Sequence, residues 1–109
     1  MKKIDMDVIK NLKGGIKLLS KLTKVTQKQI KFDMHYICNY KSNKSDMTSC
    51  VVNTLSYLNS FDCDGWLSDI DDKKVAVGLY LTLTTWNDEF GKRYKGETSS
   101  VRQNFIKNI

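Results

Sequence analysis

Twelve residues, Val75 to Trp86 (VAVGLYLTLTTW), constrain the fold more than any other stretch. Val75, Val77, Leu79, Leu81 and Leu83 occupy every second position, which in a strand puts them on one face. The intervening Ala76, Gly78, Tyr80, Thr82, Thr84 and Trp86 are semi-apolar and rich in strand-forming types. A segment dressed on both faces reads as an interior strand. A second alternation sets Ile30, Phe32, Met34, Tyr36, Cys38 and Tyr40 against Lys31, Asp33, His35, Ile37 and Asn39. That period of two predicts a half-buried strand.

Around these strands the sequence predicts short helices. Ile4, Val8 and Leu12 share a face over residues 4–13, with Asp5 as a cap and Asp7 in the first turn. Gly14-Gly15 is expected to end that helix. Leu18, Leu19, Leu22 and Val25 then recur at helical spacing, while Thr23, Val25 and Thr26 also suit an extended chain. After the polar loop KSNKSD, Ser45 or Asp46 can cap a helix whose stripe is Met47, Val51, Leu55 and Leu58. Trp66, Leu67 and Ile70 suggest a short strand turning through Asp71-Asp72-Lys73 into the central one. NDEFG reads as a turn, residues 92–95 as a basic edge strand, and Val101, Phe105 and Ile109 as the face of a last helix. The expected fold is a single α+β domain over residues 1–109, a small, mainly antiparallel sheet with helices packed on one face.

No run approaches the length of about 18 apolar residues that spans a membrane, and Asp5 and Asp7 interrupt the start where a leader would be apolar. No membrane partner is expected, and the cytoplasm is the expected compartment. Cys38, Cys50 and Cys63 are odd in number and far apart, which favours reduced, buried thiols over a disulfide framework.

Catalytic and metal signatures fail on spacing. Only His35 and Cys38 lie close enough to resemble a zinc pair, and in a strand they face opposite ways. The same geometry separates His35, the sole histidine, from a cysteine nucleophile. Asp62 and Asp64 could open a calcium loop, but Gly65 and Lys73 stand where the loop needs other residues. Gly14-Gly15 lacks the rest of a phosphate-binding loop. Neither enzyme activity, nor a cofactor, nor a metal is expected.

Charge is the remaining signal. The net charge is +6, but residues 1–41 carry +7, residues 42–90 carry −5 and residues 91–109 carry +4. Segregation of this kind speaks to partners. The leading expectation is a small non-enzymatic protein acting by stoichiometric association with a protein or protein–nucleic acid complex, as inhibitors, immunity proteins and phage-type anti-defence factors do. Two surfaces could serve it. One is the acidic segment with Trp66, Asp69, Asp71 and Asp72; the other is the basic segment 92–95, including Arg93, with Trp86 and Tyr94. The alternative is direct nucleic-acid binding through Lys10, Lys13, Lys17, Lys21, Lys24, Lys28 and Lys31. Within that region LLSKLTKVTQKQI echoes the helix-turn-helix pattern, with Val25-Thr26 opening the recognition helix and Ile30 inside it. Lys24 stands where the motif places its turn glycine, and the alternation from Ile30 opposes a continuing helix. Only two arginines, Arg93 and Arg102, are available for base readout.

Overall fold

A computed structural model describes residues 2–41, 46–59, 69–85 and 93–94. It corrects the expected α+β class: the described residues form a helical bundle and contain no strand. The helices are α1 (Lys3–Thr23), α2 (Gln27–Tyr36), α3 (Met47–Asn59) and α4 (Asp72–Thr85), with a π-helical turn over Ile37–Lys41. α4 is the hub. It packs along α1 and also against α3 and α2.

The supposed central strand is α4. Val75, Ala76, Val77, Leu79, Tyr80, Thr82 and Leu83 are all buried, so the helix is covered on nearly every side. A helix apolar all round shows no period of 3.6, and its residues can alternate without meaning. Its threonines fit because their hydroxyls bond back along the helix. Thr82 Oγ1 donates to Gly78 O at 2.7 Å and Thr84 Oγ1 to Tyr80 O at 2.8 Å. Asp71 Oδ1 caps the start, accepting from Lys74 N at 3.0 Å.

The second supposed strand is α2 with the π-helical turn. Its buried residues are Ile30, Asp33, Met34, Ile37 and Cys38, which is helical spacing, while Phe32 is 63% exposed. The pattern was hidden because one member of the buried stripe is an aspartate.

Gly14-Gly15 does not end a helix but lies inside α1, whose N-cap is Lys2 and which Asp5 does not cap. Gly15 is buried at a close approach of α1 to α4: an ideal Cβ there would lie 2.5 Å from Val75 Cγ1 and 3.2 Å from Ala76 N. Asn11 Nδ2 ties the segment before α4 to α1, donating to Asp7 O at 2.8 Å and to Ile70 O at 2.9 Å. α3 begins as expected, with Asp46 Oδ1 accepting from Ser49 N at 2.7 Å and Val51 and Leu55 fully buried. Arg93 and Tyr94 have helical backbone instead of the expected edge-strand geometry. Leu67 and the stretches expected to form the NDEFG turn and a last helix lie outside the described residues, as do Cys63 and Ser45.

Candidate functional site

α1 ends at Thr23, and three residues join it to α2. Lys24 adopts the left-handed conformation, φ 64° and ψ 12°, and its N–H donates to Ser20 O at 2.9 Å. A side chain in this conformation costs on the order of 1 kcal/mol, which is why glycine is the usual occupant. Ser20 Oγ donates to Val25 O at 2.6 Å, and Val25 N donates to Thr23 Oγ1 at 3.3 Å. Thr26 caps α2 by accepting from Gln29 N at 3.1 Å. Leu19 and Ile30 are fully buried on the inner sides of the two helices. Residues 18–30 therefore hold the end of α1, a three-residue turn and the first turn of α2. Lys24 supplies the left-handed turn residue itself, and α2 runs straight through Ile30.

All seven candidate lysines are exposed, and none forms an ion pair with a carboxylate among the described residues. Lys10, Lys13, Lys17 and Lys21 fall within roughly 80° of arc on α1, at about 100° per residue, and the row is about 16 Å long. Lys28 and Lys31 lie on the outer face of α2 beside Gln27, Phe32 and His35, all exposed. A groove lined by Gly14, Lys17, Leu18, Lys21, Gln27 and Asp72 joins the end of α1 to the start of α2. Lys17 and Lys21 of α1 line this groove together with Gln27 at the start of α2. Asp72, exposed in the first turn of α4, marks its acidic edge.

α2 is anchored from behind by Asp33, which is fully buried. Its carboxylate accepts from Arg93 Nη1 at 2.6 Å to both oxygens, from Tyr94 Oη at 2.6 Å and from Gln29 Nε2 at 2.9 Å. A buried carboxylate is tolerable only with this degree of compensation. Burial and the contact with Asp33 push the Tyr94 hydroxyl pKa far above the ordinary phenol value. The spacing of α2 gave no sign of this cluster, since Arg93 and Tyr94 come from 60 and 61 residues downstream.

The other candidate residues are spread out. Asp69 is exposed ahead of α4, Asp71 caps that helix and Asp72 lines the groove. Arg93 is bound to Asp33, and Tyr94 is fully buried, a core residue in place of an exposed anchor. Trp66 and Trp86 lie outside the described residues. His35 is exposed, whereas Cys38 and Cys50 are buried with their sulfurs 2.7 Å apart. Among the described residues no group of three His, Cys, Asp or Glu side chains could hold a metal ion. No helix among them is long and apolar enough to cross a membrane. No family model, no curated protein and no solved structure matches the chain.

Proposed function

We propose that the protein binds nucleic acid stoichiometrically, in the cytoplasm and without catalysis, through the lysine-lined surface of α1, the Lys24 turn and α2. The observation that carries this reading is the disposition of the seven lysines. They are exposed, outside ion pairs among the described residues, and carried by two consecutive helices and the turn between them, with Lys17 and Lys21 lining a groove that reaches the start of α2. A solvated face needs only scattered charge, and repulsion within a row of like charges opposes folding. A polyanion relieves that repulsion and releases counterions as it binds. Lys24 adds a second argument, because glycine there would remove backbone strain but lose a charge from the centre of the surface. Phe32, exposed between Lys28 and Lys31 on one side and His35 on the other, offers a ring for base stacking.

The test is charge reversal. Lys17→Glu, Lys21→Glu and Lys24→Glu together are expected to abolish binding while helical content stays unchanged. Lys73→Glu, an exposed lysine on α4 outside this surface, serves as the control. Equal affinity in the triple variant and the control would refute the assignment.

A protein partner is the second reading, and a separate observation favours it. Met6 and Ile9, three residues apart on α1, are 57% and 50% exposed. Lys2, Lys3, Lys10 and Lys13 outnumber Asp5 and Asp7 around them, which suits an acidic partner with an apolar centre. Loss of partner capture in the uncharged variant Ile9→Ser, with nucleic-acid binding intact, would establish that reading as distinct.

A further inference from the structure

Cys38, in the π-helical turn after α2, and Cys50, in the first turns of α3, are 1% and 6% exposed and reduced. Their sulfurs approach to 2.7 Å. Two thiolates sharing a tetrahedral zinc at about 2.3 Å each would stand about 3.8 Å apart, so this spacing leaves no room for a metal between them. It lies instead close to the bonded separation of about 2.05 Å, and the two helical segments need to move by only a fraction of an ångström to reach it.

We propose that Cys38 and Cys50 are a site of reversible covalent modification, a dithiol that a small oxidant of the peroxide class converts to an intramolecular disulfide. Cys50, the more accessible, supplies the first nucleophile. Its thiolate attacks the peroxide, an Sγ–O bond forms, the O–O bond breaks and hydroxide leaves. Cys38 Sγ then attacks the sulfenic sulfur. The Sγ–Sγ bond forms, the S–O bond breaks, and water leaves with the Cys38 proton. Two thiols and one hydrogen peroxide give one disulfide and two waters, with two electrons passing from sulfur to the peroxide.

The contact with Cys50 and burial raise the Cys38 thiol pKa far above its ordinary value, which argues against Cys38 as the thiolate that attacks the peroxide; its part in the second step rests on its position against Cys50. The bond would close the chain between residues 38 and 50 and fix the end of α2 to α3. It does not depend on the proposed nucleic-acid surface.

The experiment treats the purified full chain with hydrogen peroxide and maps peptides without reduction, in the wild type and in Cys63→Ser. The expected product in both is a Cys38–Cys50 linked peptide, with the intact mass lower by two hydrogens. The melting midpoint should rise by roughly 10 °C and return on reduction, since a loop of this length is constrained. Oxygen addition at either cysteine without a link would overturn the proposal. A link made only through Cys63, no reaction under conditions that oxidise the denatured chain, or a linked product that melts lower would overturn it as well.

Discussion

Gly14 and Gly15 stand side by side in α1 and should respond in opposite ways to the same added methyl group. In a helix interior, glycine to alanine ordinarily stabilises by about 1 kcal/mol through reduced backbone entropy in the unfolded chain. At Gly14 the nearest atoms to the new Cβ would be those of the Asp72 carboxylate, the exposed end of a flexible side chain. That carboxylate can swing away, so Gly14→Ala should keep most of the gain. At Gly15 the Cβ would fall 2.5 Å from Val75 Cγ1, 2.9 Å from Val75 Cβ and 3.2 Å from Ala76 N. Val75 is fully buried and branched at that carbon, and the amide belongs to the α4 backbone, so relief requires the two helices to separate. Overpacking of this kind costs about 1–3 kcal/mol, and the rigid neighbours place Gly15→Ala near the upper end. After the helical gain is subtracted, the net loss is about 1–2 kcal/mol, or a melting midpoint lower by roughly 5–10 °C. Thermal denaturation followed by circular dichroism measures both variants. Gly15→Ala melting at or above the wild type, or Gly14→Ala falling as far, would refute the close α1–α4 packing.

Three further outcomes are expected. Arg93→Ala leaves the buried Asp33 carboxylate without its cation and should cost about 3 kcal/mol, because breaking one side of a buried pair is expensive and Arg93 is partly hydrated. Tyr94→Phe removes one hydrogen bond and should cost about 1 kcal/mol; urea denaturation showing the reverse order would mean that charge compensation is not what Asp33 needs. Lys24→Gly should raise stability by about 0.5–1 kcal/mol by relieving the left-handed residue, yet weaken nucleic-acid binding, so that melting and affinity move in opposite directions. In alkali, Cys38 and Tyr94 have folded-state pKa values raised above their ordinary 9.0 and 10.0, so the unfolded chain loses these protons first. Stability is then fully present below pH 9.0 and declines as pH rises past 9.0 and 10.0, and Tyr94→Phe should flatten the upper part of that decline in urea melts.

The lysine spacing was legible in the sequence, whereas Tyr94, expected as an exposed anchor, is buried, and much of the fold was not legible. Lysine spacing is a surface property, and the three-to-four periodicity from Lys10 to Lys21 needed only a helix to become a stripe. α3 was also plain, because its apolar residues occupy one face and Asp46 precedes it. α4 misled because it is buried nearly all round, which removes the contrast on which periodicity depends. α2 misled because Asp33 sits inside the core, compensated by Arg93 and Tyr94 from far along the chain. With Asp33 counted among the buried residues, Ile30, Asp33, Met34, Ile37 and Cys38 form a helical stripe. Gly14-Gly15 misled because the glycines serve close packing against α4 and not chain reversal. In each case a tertiary contact overrode a local preference.

The most direct measurement is a titration of labelled generic duplex DNA and RNA with the purified chain at about 50 and about 200 mM salt. If four to seven of the lysines meet phosphates, affinity should fall by roughly 150-fold to 6,000-fold between the two conditions, at a slope of about −0.9 per contact on duplex. No binding at the lower salt, or binding that does not change with salt, would contradict the lysine surface as the functional site.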